Sequence, residues 1–399
     1  ARLGRLFAGA GRRRASDSAP EADGPGGAAA SAGGGGGRRR GGLLRWIMLA
    51  FLLFVVVYTG VMTYRFGFNR GIDLAYPEDV IYPMSPDGGR PGRDGPPMNA
   101  GEPVPGEAGR CRPSRLVEMQ SALIDLIVNE NGWIPATPQY TIGFFGVVPW
   151  AATPWFDNKA AFQIGVLTAI RRVSLDLADT IGRVRGTSGA DPDLQAAASR
   201  LRVNERAWVL NNPFDPQLQV VQSSAAGSYR GAIELYDSFN ERLSNCDAMY
   251  DARGDNLLRL VDRIAADLGD VNDRLQKRSR AQVWSHDELR FVRGEGNNRG
   301  WFDFRADNLL HEARGQMYAL HGLLQAARVD FGVAVANAQL DAIWDRMEAH
   351  VADGARMNPL IVSNGETDGT FFPSHLAVMG EKVLRARANM TELRDVIQN

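Results

Sequence analysis

Residues 46–64 read WIMLAFLLFVVVYTGVMTY, nineteen consecutive positions without a charged side chain. At about 1.5 Å rise per residue, a helix of this length spans roughly 30 Å, the thickness of the hydrocarbon core of a bilayer. Trp46 stands at one end of the stretch, and Tyr58 and Tyr64 stand at the other, where interfacial aromatic residues belong. The stretch therefore predicts a membrane-spanning helix.

Arginine is concentrated before this stretch. Residues 1–45 carry nine Arg and three acidic residues, whereas residues 65–84 carry two Arg and three acidic residues. A basic excess on one flank keeps that flank cytoplasmic, so the bulk of the chain is expected on the exported side. A cleaved signal peptide is the competing interpretation. It is disfavoured because its apolar core would be shorter and because no A-x-A pattern follows.

The composition, with 42 Arg, three Lys and many Ala and Gly, favours a GC-rich bacterial genome. We therefore expect a single-pass protein of the bacterial inner membrane, with a cytoplasmic N-terminus and a periplasmic C-terminal domain. Four regions are predicted: a disordered Arg/Gly-rich tail (1–42), the membrane-spanning helix (43–64), a Pro/Gly-rich linker (65–112) and a periplasmic domain (113–399).

The periplasmic region is predicted to be an all-α, multi-helix bundle. Three segments repeat apolar residues at alternating steps of three and four, which places them in one stripe of a helix. Such seams favour antiparallel packing within one chain, because each is only about three heptads long. The seams are Leu167, Ile170, Ser174, Leu177, Ile181 and Val184; Leu257, Val261, Ile264, Leu268, Val271 and Leu275; and Leu310, Ala313, Met317, Leu320, Leu324, Ala327 and Phe331.

Charge and motif patterns limit the function classes. Residues 113–399 carry 30 basic and 36 acidic side chains, which argues against a nucleic-acid partner. The basic N-terminal tail is interpreted as a topological signal rather than as a binding arm. The five histidines form no H-E-x-x-H motif, and no nucleotide-binding loop occurs, so neither a metal nor a cofactor is expected.

The chain has two cysteines, Cys111 and Cys246. In an oxidising periplasm they could pair and fasten the linker to the domain. Two unpaired thiols are the alternative, because sequence alone does not show whether the two residues are close.

Residues 129–158 combine seven aromatic residues with four prolines. Prolines at this density exclude a continuous helix, yet the segment is too apolar for a solvated loop. Its aromatic residues either fill one end of the bundle, or form a surface for a partner protein or the headgroup layer, or line a groove for a ligand. In our interpretation Trp133 and Trp155 hold the segment to the bundle, and Phe144 and Phe145 project outward. The contact candidates are Trp133, Tyr140, Phe144, Phe145, Trp150 and Trp155.

Three polar loops, 203–217, 293–308 and 358–375, supply an enzyme hypothesis. Paired carboxylates can divide acid and base roles, as in glycosidases. Turn and cap chemistry explains the same residues without catalysis. The candidate acids are Glu295, Asp303, Glu366 and Asp368.

The blocks NGWIPATP, PWFDNKAAFQIGVL, NERAWVLNNP and GSYRGAIELYDSFN resemble the proteobacterial domain-of-unknown-function family 2333. The resemblance implies a single-pass inner-membrane protein with a large helical periplasmic region. It brings no catalytic residues.

Taken together, these features favour a membrane-anchored scaffold or interaction protein of the cell envelope. Its expected partners are the inner membrane and an envelope protein that the sequence does not identify. An envelope enzyme acting on a glycan or peptide is the alternative. The sequence does not determine the oligomeric state.

Overall fold

The structure is a computed structural model. It describes residues 37–67, 69–86, 88–90, 92, 95–143, 146, 147, 150, 153, 156–183, 189–208, 224–280, 282–293, 304–365 and 373–398. Helix accounts for 68% of these residues, in twelve α-helices and three π-helical turns, with a single β-hairpin. The prediction of an all-α fold is therefore confirmed.

The elements follow one another along the chain without a repeated unit. Their bounds are α1 Gly37–Met62, α2 Tyr76–Ile81, α3 Arg115–Asp125, α4 Pro138–Ile142, α5 Asn158–Asp176, α6 Pro192–Leu201, α7 Ala225–Ser244, α8 Gly254–Ser279, β1 Gln282–Ser285, β2 Arg290–Arg293, α9 Phe304–Asp330, α10 Gly332–Asn337, α11 Asp341–Arg356 and α12 His375–Gln398. The π-helical turns Thr63–Gly67, Leu126–Glu130 and Leu177–Ile181 extend α1, α3 and α5.

The apolar stretch at the N-terminal side forms a helix that could cross a membrane. Residues Gly42–Gly67 are 26 residues long with a mean hydropathy of 2.2, and none of the apolar window is buried in the protein. Leu, Phe and Val side chains exposed in this way are stable only in an apolar surrounding. The length and the apolar composition of this helix thus fit a membrane anchor.

The three predicted seams lie on α5, α8 and α9, and their described members are buried. Ile264, in the middle of the second seam, is 1% exposed, and Met317, in the third, is 0% exposed. The second seam packs on α12, which runs antiparallel to α8: Arg394 near the end of α12 pairs with Asp262 near the start of α8 at 3.5 Å. This pair agrees with the expected antiparallel packing.

The predicted linker differs from a free tether. In α2, Tyr76 donates its hydroxyl to the Tyr318 carbonyl at 2.8 Å, and Tyr318 donates its own to the Asp73 carbonyl at 3.1 Å. Further along, Ala100 N donates to the Asp330 carbonyl at 3.0 Å. Residues 59–399 accordingly form one compact unit. Pro and Gly disfavour regular structure but do not prevent a chain from packing on a neighbouring core.

Cys111 and Cys246 form a disulfide, with their Cα atoms 5.2 Å apart. The disulfide joins the predicted linker, which ends at residue 112, to the residues just after α7. Nearby, the buried Asp330 carboxylate accepts hydrogen bonds from Ser114 Oγ at 2.6 Å and from Tyr250 Oη at 3.0 Å. It also accepts from the backbone amides at the start of α3, Arg115 N at 2.8 Å and Leu116 N at 3.0 Å. One carboxylate thus caps α3 and joins three segments.

Candidate functional site

The chain enters the bundle directly after the candidate membrane-spanning helix. Phe66, in the π-helical turn after α1, is 0% exposed, and its ring lies 6.1 Å from that of Tyr140. Lys159, in the first turn of α5, donates from Nζ to the main-chain carbonyl of Arg65 at 3.2 Å. We call the end of the bundle that contains residues 63–67 and the start of α5 the anchor end.

Two glycines bring α5 and α9 into backbone contact near this end. A Cβ atom at Gly165 would lie 1.9 Å from the Glu312 carbonyl oxygen, and one at Gly315 would lie 2.1 Å from the Phe162 carbonyl oxygen. No side chain fits at such distances, so only glycine permits this crossing. Both helices begin at the anchor end, in contrast to the antiparallel packing expected for the seams. The close crossing therefore places their first turns side by side.

The two first turns bury a polar cluster. Asp307 and His311 of α9 are 6% and 4% exposed, and Asp307 Oδ1 lies 3.3 Å from His311 Nε2. With the Asn158 amide oriented so that its nitrogen faces the carboxylate, Nδ2 donates to Asp307 Oδ2 at 2.6 Å. Its oxygen then accepts from His311 Nε2 at 3.3 Å. Asp307 is held in place by both neighbours.

Asp157 lies immediately before α5 and is 2% exposed. Its Oδ1 atom has no hydrogen-bond partner among the residues that the structure describes. Burial, and secondarily the negative charge of Asp307, raise the pKa of this carboxyl to about 7. A hydrogen bond from Asn308 acts in the opposite direction and lowers the pKa. Asp157 is thus a buried acid that can carry a proton near neutral pH, and acid–base chemistry requires such a group.

Lys159 adds a buried cation beside this cluster. The residue is 1% exposed, and burial, together with the charges of Arg70 and Arg65, lowers the pKa of its ammonium group to about 8. At neutral pH the group is still protonated and retains its hydrogen bond to the Arg65 carbonyl. The ammonium group therefore fixes residues 63–67, which follow α1, to the start of α5.

The described part of the aromatic segment packs largely inward. Trp133 is 5% exposed, donates from Nε1 to the Glu205 carbonyl at 2.7 Å and meets the Tyr229 ring edge-on at 5.1 Å. Trp150 is 4% exposed, with its ring 4.4 Å from that of Phe156. These two indoles are core residues and are not available as contact surfaces, because their apolar faces are already covered.

Tyr140 is half-buried on α4, the short helix that begins at Pro138. Burial, followed by the charge of Asp157, raises the pKa of its hydroxyl, so the ring lies beside the buried acids. Phe144, Phe145 and Trp155 lie outside the described residues, and the interpretation that two of them project outward stays a prediction.

The candidate acids Glu295, Asp303, Glu366 and Asp368 also lie outside the described residues. Asn364, from the third polar loop, is fully buried and donates to the Arg278 carbonyl at 3.0 Å, which is a structural role. His321 contacts the Leu74 carbonyl at 3.1 Å, and burial lowers its pKa. Within the described residues no group of three or more His, Cys, Asp or Glu could hold a metal ion.

A cleft of about 480 Å³ lies between α5, α8 and α9, outside the anchor end. Its cations already have partners in the protein. Arg172 pairs with both oxygens of Asp267, at 2.5 and 2.6 Å, and Arg171 Nε donates to the Leu201 carbonyl at 2.7 Å. A ligand would have to break these contacts, so the cleft is a weaker candidate.

Sequence reasoning missed Asp157 and Asp307. Asp157 stood at the junction of the aromatic segment and the next helix, a position usual for a helix cap. Yet its side chain makes no cap hydrogen bond. The absence of this cap hydrogen bond can be recognised only in the structure.

The fold and this site define a class: a helical bundle preceded along the chain by a candidate membrane-spanning helix, with a buried acid cluster at the start of α5 and α9. A sequence model of the DUF2333 family, described as an uncharacterized protein conserved in bacteria, matches residues 146–399. The match covers more than half of the chain, so the chain belongs to this family. No curated protein and no solved structure matches it.

Proposed function

We propose that this chain is a membrane-anchored scaffold or interaction protein of the bacterial cell envelope. In this proposal α1 spans the inner membrane, the N-terminal tail is cytoplasmic, and the bundle stands in the periplasm. The basic excess before the span supports this orientation. The disulfide supports an oxidising compartment for the bundle.

One observation carries the proposal: the end of the anchor is built into the bundle. Phe66 is 0% exposed, and Lys159 holds the Arg65 carbonyl at 3.2 Å. An enzyme that merely needs to be retained at a membrane functions on a flexible tether. A fixed junction instead holds the bundle near the membrane surface, as positioning a partner there requires.

Orientation can be tested in cells. A phosphatase reporter fused after Asn399 should be active only if the C-terminus is exported. In the same cells, a maleimide reagent added after denaturation should not modify Cys111 or Cys246 unless a reductant is added first. A phosphatase-inactive fusion together with reactive thiols would contradict the periplasmic assignment.

Partner binding can be tested by crosslinking in native membranes, comparing the full chain with an anchor-only control that ends after residue 67. The proposal expects specific proteins to crosslink to the full chain and not to the control. If both capture the same proteins, or the full chain captures none, the scaffold function is wrong.

The buried acids favour a second candidate, an envelope enzyme acting on a glycan or peptide. Asp157, with a pKa of about 7, could donate a proton, and Asp307, held by Asn158 and His311, lies beside it. Purified full-length protein should then release fragments from isolated peptidoglycan, and Asp157→Asn should abolish release. Fragment release by the wild type that Asp157→Asn abolishes would favour this candidate over the scaffold.

A further inference from the structure

The β-hairpin between α8 and α9 exposes large apolar side chains. Trp284 on β1 and Phe291 on β2 are directly paired in the antiparallel register, and their rings meet edge-on at 5.4 Å. They are 46% and 63% exposed. Leu289, in the connecting turn, is 73% exposed. Three neighbouring apolar side chains in water are unfavourable, and such patches usually mark an interaction site.

The turn has an unusual backbone at Leu289, whose φ is 49°. Asn or Gly adopts this left-handed conformation at much lower cost than a branched aliphatic residue. Leucine therefore does not serve the fold of the turn. Its value at this position lies in what its exposed side chain can contact.

The hairpin extends from the anchor end of the bundle. It follows the last turn of α8, where Arg274 Nη1 donates to Glu312 Oε1 of α9 at 2.8 Å. Glu312 directly follows His311 in α9, and the first turn of α9 contacts the first turn of α5 through Asn158 and Asp307. Residues 63–67 contact that same turn of α5 through the hydrogen bond from Lys159 to the Arg65 carbonyl. The hairpin and residues 63–67 thus lie at the same end of the bundle.

Two other connections expose apolar side chains at this end. Leu360 and Ile361, between α11 and α12, are 88% and 49% exposed, and their loop is fixed beside the hairpin by the bond from Asn364 to the Arg278 carbonyl. Ile142, on α4 beside Tyr140, is 58% exposed. Three separate loops thus present apolar groups at one end.

The hairpin residues 282–293 carry two basic and two acidic side chains, and the basic excess around them comes from Lys277, Arg278 and Arg280 before β1. Residues 277–293 carry five basic and two acidic side chains, whereas residues 113–399 as a whole carry an acidic excess. Some of the cations have protein partners: Lys277 pairs with Asp273 at 2.7 Å and Arg290 with Glu288 at 2.5 Å. The net charge of residues 277–293 nevertheless remains positive, and aromatic residues beside Arg and Lys suit the layer between anionic headgroups and acyl chains.

We infer that this hairpin is a second membrane contact, in which Trp284, Leu289 and Phe291 enter the headgroup layer of the bilayer that α1 spans. The inference rests on the proposed function, because it requires α1 to be in a membrane. Apolar faces of interfacial elements lie about 5–10 Å into the headgroup and acyl boundary. Together with α1, the hairpin gives the bundle two attachments, which fixes its tilt as well as its distance from the bilayer.

The test uses the full chain in nanodiscs of phosphatidylethanolamine and phosphatidylglycerol. A nitroxide at Leu289→Cys reports depth through its relative accessibility to oxygen and to a water-soluble nickel complex. The matched control is Val396→Cys, which is 40% exposed at the opposite end of the bundle. The Leu289 label should show a several-fold higher oxygen-to-nickel ratio than the Val396 label. Nanodiscs of phosphatidylcholine should reduce that difference.

A second variant separates membrane contact from folding. Trp284→Ser with Phe291→Ser should leave the melting temperature unchanged, because both rings are exposed, and should return the Leu289 label to the ratio of the control. Equal ratios at Leu289 and Val396 in a chain that co-elutes with the nanodisc would overturn the hairpin contact while leaving the anchor intact. Failure to co-elute would instead overturn the anchor itself, and the inference with it. Burial of the label in native membranes but not in nanodiscs would indicate a protein partner and reject the lipid contact.

Discussion

The ammonium group of Lys159 and the main-chain carbonyl of Arg65 are joined by a hydrogen bond of 3.2 Å. The bond links the first turn of a core helix to the segment that leaves the candidate membrane anchor. A hydrogen bond from a charged donor contributes about 1.5–3 kcal/mol. Loss of this single contact should therefore weaken the junction measurably.

Lys159→Ala should open this junction. Trypsin cleaves after Arg65 and Arg70, and both sites require local unfolding because Phe66 between them is 0% exposed. Loss of the hydrogen bond should accelerate cleavage at these sites by about tenfold or more, since 1.4 kcal/mol corresponds to a factor of ten. The measurement is gel analysis of time points for the full chain in nanodiscs. Lys277→Ala, at an exposed lysine on α8, is the control and should be cleaved at the wild-type rate.

Gly315→Ala should strongly destabilise the bundle. The new methyl group would lie 2.1 Å from the Phe162 carbonyl oxygen, so α5 and α9 would have to separate. Overpacking of this kind typically costs about 1–3 kcal/mol, and a backbone neighbour cannot move aside as a side chain can. Gly254→Ala is the matched control, because the nearest atom to its Cβ would be 4.0 Å away. Denaturant unfolding of both variants should show a loss only for Gly315→Ala; equal stabilities would mean that the helices do not touch there.

Asp157→Asn should change how stability depends on pH. The pKa of Asp157 is about 7 in the folded protein, above its value of about 3.9 in an unfolded chain. The folded state thus binds the proton more tightly, so the stabilisation is complete below about pH 4 and is lost as the pH rises through about 7. Across that window the wild type should lose up to about 4 kcal/mol from this group.

The variant has no carboxyl at this position, so its melting temperature should fall less between pH 5 and pH 8 than that of the wild type. Glu348, whose pKa burial raises to about 7, titrates in the same direction and contributes equally to both proteins. Asp237→Asn, at an exposed position of α7, is the control and should follow the wild type. Parallel curves for wild type and Asp157→Asn would contradict the buried environment assigned to this acid.

Asp330→Ala should be among the most destabilising single substitutions. The carboxylate is 0% exposed and accepts four hydrogen bonds, so its removal leaves several buried donors unsatisfied. Breaking a buried charged network in this way costs about 3–5 kcal/mol. Tyr250→Phe removes one of the four donors and should cost about 1 kcal/mol. Urea unfolding of the two variants should give losses in that order, and a loss near zero for Asp330→Ala would show that α3 is capped by other means.

Local patterns in the sequence were sufficient for the architecture. The candidate membrane-spanning helix was predicted from an uncharged apolar run of bilayer length. The seams of α5, α8 and α9 were predicted from spacing, because a helix buries residues that recur every three or four positions. The hairpin was not predicted. Its strands QVWS and RFVR are short, and their aromatic residues are exposed rather than part of a core. The sequence therefore shows no alternation of buried and exposed positions that would identify them. The partner of Tyr76 could not be predicted either, since Tyr318 lies more than 240 positions away along the chain.

The sequence by itself determined that this is a helical bundle with an apolar anchor, since each helix carries its own pattern of burial. Only the tertiary structure paired Cys111 with Cys246, placed Asp157 beside Asp307 and brought the hairpin to the anchor end. The physical reason is that these relationships join segments far apart in the chain. Their free energy depends on distances set by the packing of α5, α8 and α9, and the backbone contact at Gly165 and Gly315 fixes that packing for α5 and α9.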